Sequence, residues 1–158
     1  MAGKYYESFE HLLRPDPATN NANVGKFINC TMREGKRTLA QGILYRSFDI
    51  LKSKVADKDP VEVFDTAVEN VKPMVEVRSK RVGGANYQVP VEVSRKRQRA
   101  LAFRWILESA REKKGKPLRA SLADELLAAF NREGGAMAKR ENTHKMAEAN
   151  KAFAHFAW

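Results

Sequence analysis

The most regular pattern in the chain is a period of two between positions 75 and 93, VEVRSKRVGGANYQVPVEV. Val75 and Val77 alternate with Glu76, Arg78 and Lys80. Beyond Gly83-Gly84, Tyr87, Val89, Val91 and Val93 alternate with Gln88, Pro90 and Glu92. Alternation on both sides of a glycine pair predicts a β-hairpin over residues 74–93. One apolar face would pack on a core. The tip, with Arg78, Lys80 and Arg81, is basic and has nothing nearby to balance it.

Elsewhere the apolar period is helical. Val24, Phe27, Ile28 and Met32 make a first stripe, with Asn20-Asn21 placed to cap it and Gly35 to close it. A second helix is expected over residues 37–55, its inner face Ala40, Leu44, Phe48, Leu51 and Val55. Asp59-Pro60-Val61-Glu62 is a start signal: Asp59 caps, Pro60 suits the first helical position, and Glu62 can close a capping box. The third helix turns Val61, Phe64, Val68 and Val71 inward, and Pro73 stops it. Ser94 caps a fourth helix over residues 94–114, with Leu101, Ala102, Trp105, Ile106 and Ala110 as its stripe and Gly115 beyond its end. A fifth spans 117–131 with Leu118, Leu122, Leu126 and Phe130 inward. Gly134-Gly135 breaks the chain before a sixth helix over residues 136–151, within a C-terminal helix and tail of 136–158. The fold expected is mainly α: one six-helix domain over residues 1–158, with an irregular N-terminal arm over 1–19 and one protruding hairpin between the third and fourth helices.

Composition narrows the classes. No run reaches the roughly 18 apolar residues of a membrane span, and the start, MAGKYYESFEHLL, has neither a secretory h-region nor an acid-poor transit pattern. Cys30 is the single cysteine, so neither an internal disulfide nor a cysteine-based zinc site is available. Set among Phe27, Ile28 and Met32, it reads as a small core residue. A cytoplasmic or organellar protein without membrane or cofactor is expected.

Charge changes the picture most. The formal net charge is +10, and ten basic against two acidic residues between positions 94 and 119 account for +8 of it. A block of this kind points to a polyanion, most often nucleic acid. Arg95, Lys96, Arg97 and Arg99 crowd the first turns of the fourth helix, where the macrodipole disfavours cations by about 0.3–1 kcal/mol each; phosphates would supply the missing counter-charge. Arg111, Lys113, Lys114, Lys116 and Arg119 complete the block. Two readings stand for Tyr87: stacking on an unpaired base, or packing on the domain in register with Val89 and Val91. Trp105 reads as core.

Enzyme signatures fail in turn. Gly35-Lys36-Arg37-Thr38 resembles the end of a phosphate-binding loop, but Cys30 stands where its first glycine belongs and Arg37 where Ser or Thr belongs. Gly83-Gly84 is a turn with no helix start close behind. His11, His144 and His155 have no cysteine partners for zinc, and no carboxylate pair or activated nucleophile stands out.

The stretch VEVRSKRVGGANYQVPVEVSRKRQRALAFRWI, with Pro15-Asp16-Pro17, GKFIN at 25–29, the Gly35-Lys36-Arg37 loop, FDTAVENVKPMVEV at 64–77 and HKMAEANKAFAHFAW at the end, resembles the universal small-subunit ribosomal protein S seven family. The matches keep the family's order over nearly all of residues 15–158, and length and Trp158 fit a bacterial-type member. The resemblance implies a six-helix domain with a protruding hairpin that binds small-subunit rRNA and nucleates assembly of the subunit head. It implies a place near the subunit interface and the tRNA exit site, with exit-site tRNA and the mRNA exit path nearby and ribosomal proteins S nine and S eleven as partners. An alternative use of the same surface is repression of a messenger; a helical DNA-binding protein is the rival class, for which neither a helix-turn-helix nor a dimer pattern is visible. By resemblance, Lys36 and Arg37 match the basic loop after the first helix, and Arg78, Lys80 and Arg81 the basic hairpin. Arg95, Arg97 and Arg99 match the basic helix start, and Lys139, Arg140, His144 and Lys145 the basic face of the last helix. One departure is the start of the chain. Tyr5, Tyr6, Glu7, Phe9 and Glu10 stand where typical members have an arginine-rich tail.

Overall fold

A computed structural model describes residues 15–157, and six α-helices and one hairpin follow one another as expected. They are α1 (Ala22–Thr31), α2 (Arg37–Lys54), α3 (Pro60–Val71), β1 (Val75–Val82), β2 (Ala85–Glu92), α4 (Arg95–Glu112), α5 (Leu118–Phe130) and α6 (Gly135–Ala149), then a 3-10 helix, Lys151–Phe156. Among the described residues no helix is long and apolar enough to cross a membrane.

Local chemistry sets the helix starts. The Asn21 side chain accepts from the backbone N–H groups of Asn23 and Val24, at 2.7 and 3.3 Å. Asp59 accepts from the Val61 N–H, with Pro60 opening α3. Ser94 stands at the cap of α4 but makes no side-chain capping bond, and no bond from Glu62 closes a box on α3 among the described residues. Asp16, fully buried, gathers three groups of its own turn on Oδ2, the Ala18 and Thr19 N–H groups and the Thr19 hydroxyl. On Oδ1 it accepts the Tyr45 hydroxyl at 2.6 Å. Burial, then that bond, pushes the Tyr45 phenol up to about 12. The Pro-Asp-Pro sequence therefore fastens the chain leading into α1 onto α2.

The core lies where α5 packs on α2, α3 and α4. Phe27, Phe64 and Phe103 are all but inaccessible. The Phe27 ring meets both others edge-on at centroid distances of 5.2 Å, an arrangement worth about 0.5–1.5 kcal/mol per pair beyond area burial. Several helix faces differ from the expected ones, Val55 on α2 and Leu118 and Phe130 on α5 being half-buried. On α3 Val63 and Ala67 are buried while Val61 is half-buried. On α4 Phe103 and Leu107 join the stripe and Trp105 is only half-buried. On α1 Cys30 is exposed rather than core: the buried positions 24, 27, 28 and 31 define a face that residue 30 does not share.

The hairpin forms, but not with the expected faces. Gly83 and Gly84 both have positive φ, 57° and 88°, as a two-residue type I′ turn requires. Val82 pairs with Ala85, so Arg78 lies opposite Val89, Lys80 opposite Tyr87 and Val77 opposite Pro90. Directly opposed residues share a face. Tyr87, Val89 and Val91 therefore lie with Glu76, Arg78 and Lys80, and Val75 and Val77 with the other face. The first set faces the domain: Val89 is fully buried and Glu76 is 7% exposed, while Lys80, Tyr87 and Val91 are half-buried and Arg78 is exposed. The charges on it are balanced, Glu76 holding Arg78 at 2.6 Å and Arg97 at 3.1 Å. The Lys80 ammonium donates to the Phe156 carbonyl at 2.7 Å.

One fully buried carboxylate sets the α5–α6 corner. Glu125 Oε1 accepts the Ala136 N–H at 2.8 Å at the start of α6, and Oε2 lies 2.8 Å from the Lys113 ammonium. Gly134, at φ 93° and ψ 178°, lets the chain pass close to this carboxylate.

Candidate nucleic-acid interface

Arg97, Arg104 and Arg111 are spaced by seven along α4, which leaves them on one stripe with a drift of only about 20° per heptad. Its Arg104–Arg111 portion runs beside α1, while Arg97 reaches the hairpin. Arg104 and Arg111 line a groove of about 320 Å³ together with Lys26 and Cys30, over a floor that includes Phe103 and Leu107. Although the residue as a whole is exposed, partial enclosure of the Cys30 thiol in this groove pushes it up, against the pull of Lys26 and Arg104.

Arg111 also borders a second, larger groove of about 490 Å³. Its guanidinium donates to the Thr31 carbonyl at the end of α1, 3.1 Å away. Arg33, Lys36, Lys113 and Lys116 ring this groove, and Leu39, Ile43 and Leu118 are among its apolar walls. Burial and the Arg33 charge both push Arg111 down from its ordinary value. Two guanidinium groups thus repel each other on one rim, a cost that an anion between them would remove. The two grooves share Arg111 and form one cationic tract from α1 across α4 to the α4–α5 loop.

The residues expected from sequence divide into three groups. Lys36, Arg111, Lys113 and Lys116 lie on this tract, although Lys36 is paired with Glu34 at 2.7 Å, Lys113 with buried Glu125, and Lys116 with Asp124 at 3.2 Å. Arg37 bridges back to Asn29 on α1 at 2.9 Å. Lys114 and Arg119 are exposed beside it. At the hairpin end, Arg81, Arg95 and Lys96 are exposed. Arg78 and Arg97 converge on Glu76, and Arg99 reaches Asn23 at 3.5 Å. Tyr87 packs rather than projecting free: its ring lies 5.3 Å from Phe153 and 5.1 Å from Phe156.

The α6 residues face mostly inward. Lys139 joins Glu108 and Glu112 of α4 at 3.3 and 2.8 Å, and Arg140 donates to the Asn70 carbonyl at 2.5 Å. His144 Nε2 accepts the Met74 N–H at 3.1 Å, at the foot of the hairpin; Lys145 is exposed. Three tract residues, Lys26, Arg33 and Arg104, escape the reading from sequence. The seven-residue spacing on α4 was the available signal for Arg104; Lys26 sits midway along α1 and Arg33 just beyond its end, and both become neighbours of α4 only through packing.

The His144 bond makes a pH prediction. Burial, then the Arg140 charge, hold the imidazole below its ordinary 6.5. Its neutral form accepts the Met74 N–H; the protonated ring cannot. With the folded value depressed, this contribution to stability is full above the unfolded value, about 6.5, and is lost as pH falls through the folded value. The melting temperature should therefore fall from about pH 7.5 to 5 more steeply for the native chain than for His144→Gln. Parallel curves for the two would show that the bond does not contribute.

A family model described as "Ribosomal protein S7p/S5e" matches residues 4–151. Curated relatives similar to the chain include the small ribosomal subunit protein uS7 of Rhodopirellula baltica, 57% identical over 144 residues, which are 90% of this chain and 92% of that protein. The protein of the same name from Thermotoga neapolitana is 57% identical over 91% of this chain and 92% of its own. That from Mesomycoplasma hyopneumoniae is 54% identical over 90% and 91%.

Proposed function

The chain belongs to the ribosomal protein S7p/S5e family, and from that membership we propose that it is a structural, non-enzymatic constituent of the small ribosomal subunit that binds small-subunit rRNA. The observation that carries the reading is the cationic tract between α1 and α4. It is wider than one phosphate, it holds like charges together at Arg33 and Arg111, and its floor is apolar. A polyanion with exposed base faces satisfies all three features, and rRNA at a junction of helices is such a polymer.

Affinity in this mechanism comes from phosphate neutralisation and counterion release along the tract. Specificity comes from rigidity. The cations stand on α1 and α4, which are locked to each other by Phe27 against Phe103 and by Arg111 on the Thr31 carbonyl. RNA that matches these spacings is selected from its ensemble, which is how the chain would nucleate folding of the subunit head. The hairpin supplies a second contact. Its turn, with Arg81 and Asn86, is exposed, while its base is held by Glu76 and the His144 bond. A braced arm of this kind suits a reach toward the tRNA exit site and exit-site tRNA. Proteins S nine and S eleven are the neighbours that the family resemblance implies.

The test is co-sedimentation of the chain with small ribosomal subunits after a high-salt wash, with footprinting on small-subunit rRNA and on duplex DNA. Retention with a defined rRNA footprint is expected. Loss from the subunits together with protection of duplex DNA would overturn the assignment.

A further inference from the structure

The larger groove combines two features that phosphate binding alone does not need. Five cations border it, Arg33, Lys36, Arg111, Lys113 and Lys116, against one acid, Glu34. Between them lies an apolar floor of Leu39, Ala40, Ile43, Ala110 and Leu118. Leu39 is 62% exposed. It stands in the first turns of α2, immediately after the basic loop, where a polar residue would cost the fold nothing. A leucine at this place serves something that arrives from outside. The volume, about 490 Å³, falls within the roughly 300–1,000 Å³ of small-ligand sites.

We propose that this groove receives a single unstacked nucleotide of the bound RNA, its base lying on Leu39 and Ile43 and its flanking phosphates between Arg33 and Arg111. The inference rests on the rRNA-binding reading and deepens it, from a charged surface to a pocket for one splayed base. Charge complementarity selects the class of occupant: the rim repels a basic peptide, and a duplex cannot place a base face on the floor without opening. Arg111 is pre-set by its bond to the Thr31 carbonyl, so little side-chain freedom is lost when a phosphate arrives. Lys113 and Lys116 are held back by Glu125 and Asp124 and border the site rather than closing on it.

The two components separate experimentally, because an apolar contact releases no counterions. Leu39→Ser should weaken binding of the full chain to a transcript of the small-subunit rRNA head region by roughly tenfold while leaving the salt slope unchanged. Arg33→Gln should instead lower the slope by about 0.7–0.9. Base-selective chemical probing should show one nucleotide protected by the native chain and reactive with Leu39→Ser. Leu39→Met, which keeps the apolar floor, should restore both affinity and protection. If Leu39→Ser binds as tightly as the native chain and every protected base stays protected, the groove holds backbone only and the nucleotide pocket is wrong, although the rRNA assignment survives. If the native chain itself fails to bind the transcript, it is the broader assignment that falls.

Discussion

Replacing Gly134 by alanine lowers the unfolding free energy by about 2–5 kcal/mol, the sum of a backbone conformation that only glycine adopts readily and an overpacked corner. The residue sits at φ 93° and ψ 178° at the N-cap of α6. A Cβ there would lie 2.9 Å from the Ala128 Cβ and 3.1 Å from Glu125 Oε1. Neither neighbour can yield. Ala128 is fixed in α5, and the Glu125 carboxylate is fully buried between the Ala136 N–H and the Lys113 ammonium. Shifting it would break a buried charge pair, which is a costly way to relax. Two further glycines calibrate the measurement by urea unfolding. Gly84, at φ 88° with open space around it, should show only the conformational part. Gly42, inside α2 with nothing within 4 Å, should become more stable as alanine by about 0.5–1 kcal/mol. A Gly134→Ala loss no greater than that of Gly84→Ala would mean that the corner gives way more easily than its packing indicates.

The second large effect is on RNA. The triple substitution of Lys26, Arg33 and Arg104 by glutamine should lower the salt slope of rRNA binding by about 2–3 and the affinity by on the order of a hundredfold near 0.1 M salt. None of these three side chains has an ion-pair or hydrogen-bond partner among the described residues. The fold does not use them, and an unchanged circular dichroism melt is expected beside the lost affinity. The matching triple at Lys113, Lys139 and Arg140 should behave in the opposite way. Those cations hold Glu125, the α4 acids and the Asn70 carbonyl, so stability should fall first. Equal salt slopes for the native chain and the first triple would remove the α1–α4 tract from the RNA-binding surface.

What could be read from sequence follows the range of the interactions involved. Asp59-Pro60, Asn21 and the glycine pair at 83–84 act within a few residues, and the elements they punctuate stand where the pattern places them. The hairpin faces were also legible, by an argument about parity. A two-residue loop joins partners of opposite parity, so Val75 and Val77 can never share a face with Val89 and Val91, all of them being odd-numbered. Cys30 misled for a similar reason: apolar neighbours in sequence are not neighbours on a helix, and Thr31 takes the inward position with its hydroxyl on the Phe27 carbonyl.

The charge block of 94–119 announced a polyanion partner, but not which of its members remain available. That depends on acids remote in sequence. Glu76 takes Arg97, and Asp124 and Glu125 take Lys116 and Lys113. Conversely, Lys26 and Arg33 looked ordinary until packing set α1 beside α4. Ion pairing between distant elements, rather than composition, decides which cations are tied up within the fold.

The 3-10 helix after α6 has a consequence in time. Its Phe153 and Phe156 close on Tyr87, and the Phe156 carbonyl takes the Lys80 ammonium across 76 positions of sequence. During synthesis from the N-terminus, the hairpin is therefore made long before the segment that steadies it. A nascent chain can complete the α1–α5 core before the outer part of the arm gains these contacts. Until residues 151–156 emerge, the hairpin has its base held by Glu76 and Arg97 but lacks the contacts of Tyr87 and Lys80 nearer its turn, so the outer part of the arm is completed last.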